Sequence, residues 1–199
     1  MVLYGASGHC KVVTEIVEAL RLPIDYIVDD NPEIKELLGY EVRRNCGIYE
    51  DAIITIGKNW IRKQIFEKIK VNHYVKVVHP TAIVSPRAKI GDGSVLMQGA
   101  IIQSCAQIGK QCIVNTGASI GHDVNIGDFV HVASHATITG GAIIEEGTWI
   151  GAGSVIRQGV HIGAWSMIGA GSVVVDDIPD FVVAFGNKCV VRHKNEFRV

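Results

Sequence analysis

The chain has 199 residues, 48% of them hydrophobic, and its 20 acidic and 19 basic side chains leave a formal net charge of −1. That length allows one or two domains with ample apolar core. The charge balance suggests neither nucleic acid nor an anionic membrane surface as a partner, and the repeat region, with only Arg87, Lys89, Lys110 and Arg157 as cations, lacks a basic phosphate-tracking groove; no apolar run is long enough to insert across a bilayer.

Val2 to Tyr4 reads as a short buried strand that runs into Gly5-Ala6-Ser7-Gly8-His9. A helix follows, with Val12, Val13, Ile16, Val17 and Leu20 on its buried face, and Arg21-Leu22-Pro23 ends it. Tyr26 to Val28 is a second strand stopped by Asp29-Asp30-Asn31-Pro32, Tyr40 to Val42 a short third, and Ala52 to Ile56 another, ended by Gly57. A helix over 59–70 turns Ile61, Ile65, Phe66 and Ile69 inward, and Tyr74 to Val78 leads out of it. Strand–helix–strand alternation predicts a small parallel α/β domain over 1–75.

From Val78 to Val174 an aliphatic side chain stands at every sixth position, through Val84, Ile90, Leu96 and onward without a slip. Four residues after each, the side chain is small or Val, as at Ala82, Ala100, Cys112, Ala118 and Ser154. Gly often follows the aliphatic directly, as at Gly91, Gly109, Gly121, Gly127, Gly151, Gly163 and Gly169. Neither a helix nor a hairpin sheet repeats at six. The period predicts a solenoid of short strands over 76–178: aliphatics inward, small residues where backbones crowd, and Gly after the aliphatic taking the corner dihedrals. Three hexads close a triangular coil of eighteen residues, with coils stacked about 4.8 Å apart. Asp176-Asp177-Ile178-Pro179 breaks the rhythm, Val182 to Phe185 is a last extended piece, and a tail over 179–199 carries Lys188, Arg192, Lys194 and Arg198. Weakly charged strand faces, with Trp149 and Trp165 in the repeat, predict a homotrimer.

Five cysteines, Cys10, Cys46, Cys105, Cys112 and Cys189, are odd in number and lack C-x-x-C spacing; they read as small reduced fillers of a cytoplasmic protein. Gly5 to Gly8 lies where backbone N–H groups and a helix N-terminus can cradle a phosphate, though it departs from the full G-x-G-x-x-G pattern. Asp29-Asp30 ends the second strand, where an acid can bind a sugar hydroxyl; a tight turn with a solvated acid explains the same residues equally well. His122 follows Gly121 at a coil corner, and imidazole exchanges protons near neutral pH, so it can serve an amine or hydroxyl nucleophile. Asp123 could orient the ring, but only with corner geometry, since neighbours on a regular strand point oppositely. The repeat alone favours an exposed corner histidine. One coil beyond His122 is Gly140, whose N–H could face the oxyanion of a thioester under attack. His131 is half a coil away, so a site shared with His122 requires two protomers.

Tyr4-Gly5-Ala6-Ser7-Gly8-His9, Val28-Asp29-Asp30, the Asn115-Thr116-Gly117 lead-in, His122-Asp123-Val124, Ile126 to His131 and Gly186-Asn187 closely resemble one branch of the hexapeptide-repeat acyltransferases. That branch contains the UDP-4-amino-sugar N-acetyltransferases and the sialic acid O-acetyltransferases. The resemblance implies a Rossmann-like α/β domain followed by a left-handed parallel β-helix. It implies transfer of acetyl from acetyl-CoA to the amino group of a UDP-linked amino sugar of the 4-amino-4,6-dideoxy type. Under it His122 is the general base, Asp123 its partner and Gly140 an oxyanion donor. Gly5, Ser7, Gly8, His9, Asp29, Asp30 and Asn115 meet the acceptor, and His131, Gly140 and Gly186 meet acetyl-CoA, with the tail near its adenine. Lys188 stands where Pro commonly follows Gly-Asn. O-acetylation of sialic acid is the alternative reading. A metal hydratase like the γ-class carbonic anhydrases would need three imidazoles from adjacent protomers; His131 and His135 do not match that spacing, so no metal is expected. A non-catalytic binding scaffold is the remaining alternative.

Overall fold

A computed structural model describes residues 1–196; Arg198, among the tail cations, lies outside them. The N-terminal part runs β1 (Val2–Tyr4), α1 (Gly8–Ala19), β2 (Tyr26–Val28), β3 (Glu36–Leu37), β4 (Tyr40–Arg43), β5 (Ile48–Ile54), α2 (Asn59–Lys68) and β6 (Lys70–Tyr74). Its sheet has the order β3-β4-β2-β1-β5-β6, parallel except for the β3–β4 hairpin. Side chains alternate across β1: Val2 and Tyr4 pack with Tyr49, Ile54 and Ile69 on the α2 side, while Leu3 packs with Cys10, Val13, Ile16 and Val17 of α1.

Several expectations for this domain need correction. On α1, Val12 and Leu20 are only half-buried and Cys10 and Thr14 take their places in the core; the Thr14 hydroxyl is satisfied by the Cys10 carbonyl at 2.8 Å. β5 starts at Ile48, four residues before the strand read from the sequence, because β6 pairs with its polar first half. α2 stops at Lys68, where Ile69 turns extended, and its buried residues are Asn59 and Arg62; Ile61, Ile65 and Phe66 are half-buried.

Each hexad aliphatic is the second residue of a two-residue strand, from β7 (Val77–Val78) to β23 (Val173–Val174). Strands pair in parallel one coil apart, as Val95 with Ile113 and Ile113 with His131, and so build three flat faces. The inward aliphatics and the small residues four positions on form one continuous core. Where the small residue is Ser or Thr, its hydroxyl ties coils together: Ser94 donates to the Gly109 carbonyl at 2.8 Å and accepts the Cys112 N–H at 2.9 Å. β24 (Val182–Phe185) continues the first face, and β25 (Val190–Lys194) pairs antiparallel on its edge. α1 is held between its own sheet and the prism, where Val77, Val95, Met97 and Ile113 join the same apolar cluster.

The corner dihedrals fall elsewhere than expected. Every sixth residue from Gly93 to Gly171 has positive φ, three places after the aliphatic; eight of these are Gly, and the rest are Cys105, Gln111, Asp123, Phe129, His135 and Trp165. The glycines directly after the aliphatic serve close approach instead. A Cβ on Gly151 would lie 2.5 Å from the Ala170 nitrogen, and one on Gly121 2.7 Å from the Gly140 nitrogen. The cysteines also divide: Cys10, Cys112 and Cys189 are buried fillers, whereas Cys46 and Cys105 are exposed. Burial pushes the Cys112 thiol up to about 12.

The two kinds of glycine predict different responses to alanine. Gly151→Ala should cost about 1–3 kcal/mol by forcing coils apart, while Gly153→Ala, with open space around its Cβ and φ +66, should cost about 1–2 kcal/mol through backbone strain alone. Paired denaturation curves check this; the same variants should separate further as residues larger than Ala are placed at each position.

Candidate functional site

The corner between β14 (Ser119–Ile120) and β15 (Asn125–Ile126) carries Gly121-His122-Asp123-Val124. Asp123 sits at φ 58, and this left-handed turn brings its carboxylate round to its neighbour: His122 Nδ1 lies 2.8 Å from Asp123 Oδ2. A carboxylate only accepts, so Nδ1 is the donor and the bare Nε2 is left as an acceptor. The corner is pinned from both sides, by the Asp123 N–H to the Ser104 carbonyl at 3.1 Å and the Gly141 N–H to the His122 carbonyl at 2.9 Å. The ring lies against Gly140, where an added Cβ would come within 2.6 Å of Cε1 and Nε2. Among the described residues the Gly140 N–H donates to no protein acceptor. The corner therefore offers a proton acceptor on an exposed pair, with the His122 and Asp123 side chains 63% and 66% exposed, beside the N–H of the buried Gly140.

A second cluster lies under the N-terminal domain. A cavity of about 450 Å³ is lined by Gly5, Ser7, His9, Asp29, Ile56, Gly57, Lys58, Ile61 and Trp149. Gly5 has φ 111 and no room for a Cβ against Ile56. Ser7 is the N-cap of α1 but makes no capping bond, so the helix N-terminus is open toward the cavity. Asp29 holds this loop in shape: Oδ2 accepts the Ala6 N–H at 2.7 Å and Oδ1 the Asn31 N–H at 2.8 Å. Asp30 faces outward, with Tyr4 Oη at 3.3 Å and Lys68 Nζ at 3.4 Å, and Arg44 donates to its backbone carbonyl.

His131, on the outer face of β16 (His131–Val132), is 5% exposed and stacks on Trp149 at 4.1 Å between ring centroids, with His9 at 6.5 Å. Its Nδ1 faces the Gly57 carbonyl at 3.4 Å and its Nε2 the Asn115 Nδ2 at 3.2 Å. Asn115 Oδ1 already accepts the Thr116 N–H, so Nδ2 must donate and His131 Nε2 must accept. The ring is thus neutral with its proton on Nδ1. Burial, the Arg62 guanidinium and His9 hold it down at about 3, and burial and Arg62 hold His9 at about 4. The His9 Nε2 is buried with no partner among the described residues.

Within one protomer the structure joins Gly5, Ser7, His9 and Asp29 around one cavity, with Asn115 and His131 behind it. It joins His122, Asp123 and Gly140 at a different corner. Gly186, at φ 115, belongs to neither; its carbonyl accepts the Val173 N–H and its N–H meets Ser172 Oγ, closing the last coil. Trp149 lies under the N-terminal domain and the Trp165 ring lies on Gly147, so neither tryptophan marks an exposed prism face. Sequence reasoning missed Arg62, which is 1% exposed and reaches from α2 into both domains. A lone arginine on an amphipathic helix carries no signal of burial.

Two neutral imidazoles, His131 buried and His9 half-buried with its Nε2 enclosed, give stability a pH signature. Both ordinarily titrate near 6.5 and here do so at about 4 and about 3. Below 6.5 the unfolded chain binds protons that the folded chain does not. Their contribution is therefore complete above pH 6.5 and falls as pH drops toward 4, by about 1.4 kcal/mol per pH unit for each ring. Urea midpoints between pH 7.5 and 5 should decline, and His131→Gln should shrink the slope.

Residues 1–69 match the PglD N-terminal domain family, and residues 141–176 match the bacterial transferase hexapeptide (six repeats) family. A galactoside O-acetyltransferase of Lactococcus lactis is 45% identical over 51 residues, 26% of this chain and 25% of that protein. PerB of Caulobacter crescentus, solved with CoA and GDP-perosamine, is 32% identical with a TM-score of 0.88 over 96% of both chains. The acetyltransferase domain of PglB from Neisseria gonorrhoeae is 33% identical, with a TM-score of 0.89 over 96% of this chain and 98% of that one. WeeI from Acinetobacter baumannii is 26% identical, with a TM-score of 0.86 over 96% and 98% of the two chains. Likeness of this extent, through the α/β domain and the left-handed parallel β-helix alike, shows that this chain belongs to the hexapeptide-repeat amino-sugar N-acetyltransferases.

Proposed function

We propose that this protein moves the acetyl group of acetyl-CoA to the amino group of a nucleotide-linked amino sugar, with His122 as general base. The observation that carries the reading is the His122–Asp123 pair at 2.8 Å beside the Gly140 N–H. Acetyl transfer needs three things at one point: an acceptor for the amine proton, a fixed orientation of that acceptor, and a donor for the developing oxyanion. Nε2 supplies the first, Asp123 the second and the Gly140 N–H the third. A side chain at position 140 would fill the space between them. His122 then returns its proton to the departing thiolate, and Asp123 stabilises the imidazolium in between.

The acceptor belongs in the cavity under the N-terminal domain, with phosphates toward the open N-terminus of α1 and the sugar toward His9 and His131. UDP is the nucleotide that the family resemblance implies; PerB is solved with GDP-perosamine, so both nucleotides belong in the test. Acetyl-CoA is the cosubstrate, running toward Gly186 and the tail. Because His122 and the cavity lie on different sides of one prism, the site is assembled between protomers of a trimer. The face holding β8 (Ile83–Val84), β11 (Ile101–Ile102), β14, β17 (Thr137–Ile138), β20 (Val155–Ile156) and β23 supports this: its outward residues Ile83, Ile101, Ser119, Thr137, Val155 and Val173 carry no charge and border the His122 corner. Five unpaired cysteines fit a reducing, cytoplasmic setting.

The test is coenzyme A release with UDP- and GDP-linked amino sugars, with free sialic acid as the hydroxyl alternative. His122→Ala should lower kcat about 10²–10⁴-fold with little change in acetyl-CoA KM. Asp123→Ala should cost less, and Asp29→Ala, which frees the Gly5–Ser7 loop, should raise acceptor KM. Near-wild-type kcat in His122→Ala on the best acceptor would remove the base assignment.

A further inference from the structure

Arg62 is the most buried charge of the described residues, and no carboxylate meets it. Nε donates to the Gln111 carbonyl at 2.8 Å, Nη1 to the carbonyls of Ile56 at 2.8 Å and Gly57 at 3.1 Å, and Nη2 to Asn59 Oδ1 at 2.9 Å and the Phe129 carbonyl at 2.8 Å. All five guanidinium N–H groups are satisfied, yet every acceptor is neutral, so the positive charge is solvated without being cancelled. Ile56 and Gly57 are themselves walls of the cavity that holds His9. The Gly57 carbonyl is shared: it accepts from Arg62 and from His131 Nδ1. His131 in turn accepts from Asn115, whose amide orientation is set by the Thr116 N–H.

A buried cation acts on its surroundings in one direction. It disfavours any second positive charge nearby, with a field that a low-dielectric interior screens poorly. His9, on the cavity wall, and His131, behind it, are held uncharged first by burial and then by this cation. An amine placed against those rings stands in the same field. The other charged groups at the cavity are Asp29, whose oxygens are turned to the Ala6 and Asn31 N–H groups, and Lys58, exposed at the rim.

We propose that Arg62 is a positioning residue for acetyl transfer: its buried guanidinium, bound only to neutral oxygens, favours the free-amine form of an acceptor held in the cavity beside His9. The free amine is the nucleophile; its ammonium form has no lone pair to attack a thioester. This rests on the acceptor being an amino sugar held in the cavity. It divides labour between two groups: His122 removes a proton during the reaction, and Arg62 removes one beforehand by field alone.

Two measurements test it. In full-length protein labelled with ¹⁵N-histidine, two-bond proton–nitrogen spectra report each imidazole's tautomer without any turnover. His131 is expected as the Nδ1–H form, unchanged from pH 7.5 to 5.5; an imidazolium at His131 in that range overturns the proposal even if the enzyme acetylates amino sugars. In Arg62→Met, accepted only if its circular dichroism and trimer mass match the wild type, the acidic limb of kcat against pH should move up by about one unit, about tenfold in rate on that limb. His9 and His131 should begin to titrate in the same variant. An unshifted limb with unchanged imidazole signals sinks the inference. Failure of the amino-sugar reading is separate, because it shows as absent turnover in wild type.

Discussion

One guanidinium decides how the two parts of this protein sit together. Arg62 leaves α2 of the N-terminal domain and ends against the carbonyls of Gln111 and Phe129, the same prism corner in two successive coils. Those corners have positive φ, which turns their carbonyls out of the coil ladder and makes them available. Asn59, one helical turn earlier, donates to the carbonyls of Gly147 and Thr148. The α2 helix thus reads the prism's corners in steps of one coil. An isolated buried charge is costly, and hydrogen bonds to a charged group are worth about 1.5–3 kcal/mol each. Five such bonds offset the burial and fix the docking geometry, since removing the arginine would strand the Ile56, Gln111 and Phe129 carbonyls and the Asn59 amide oxygen.

The prism gives this docking something regular to read. Within six residues the chain assigns three separate jobs: an aliphatic for the core, a position without a side chain where the next coil passes, and a left-handed corner. Only the first is a hydrophobic requirement. The second is steric, which is why Gly91, Gly109 and Gly151 would each place a Cβ within 2.6 Å of backbone in the coil above. The third is a dihedral requirement that Gly meets most cheaply but that other residues accept at a cost of about 1–2 kcal/mol. Where a non-glycine occupies that corner, its side chain is thrown outward in a fixed direction. Asp123 uses this to reach His122, Trp165 to cover Gly147 and Gln111 to cover Gly93. The chemistry of the site is a by-product of corner geometry.

The two halves of the candidate site have opposite electrostatic characters. His122 and Asp123 are exposed on a corner, and their pairing is a surface contact. His131 is buried and His9 half-buried, and they share a cation's field. A single fold leaves one imidazole exposed and holds two others uncharged. The difference lies in surroundings, not in residue type.

The hexad period, read from spacing alone, determined the prism, its inward column and its eighteen-residue coil, because a repeat of six has few physical solutions. The Gly-Ala-Ser-Gly-His turn and the His122-Asp123 pair were legible as motifs for the same reason: each is local. What the spacing could not reveal was which glycines mark corners and which mark close approach, since both recur at six and only the stacked coil above tells them apart. The burial of Arg62 was equally hidden, because Ile61, Ile65 and Phe66 promise an apolar face and the acceptors that hold the guanidinium lie as far away in sequence as Gln111 and Phe129. Tertiary structure alone decided that His131 is a neutral, enclosed ring and His122 an open one. A histidine's surroundings are its neighbours in space, and those neighbours, Gly57, Asn115 and Arg62 for one and Asp123 and Gly140 for the other, are assembled only when the chain has folded.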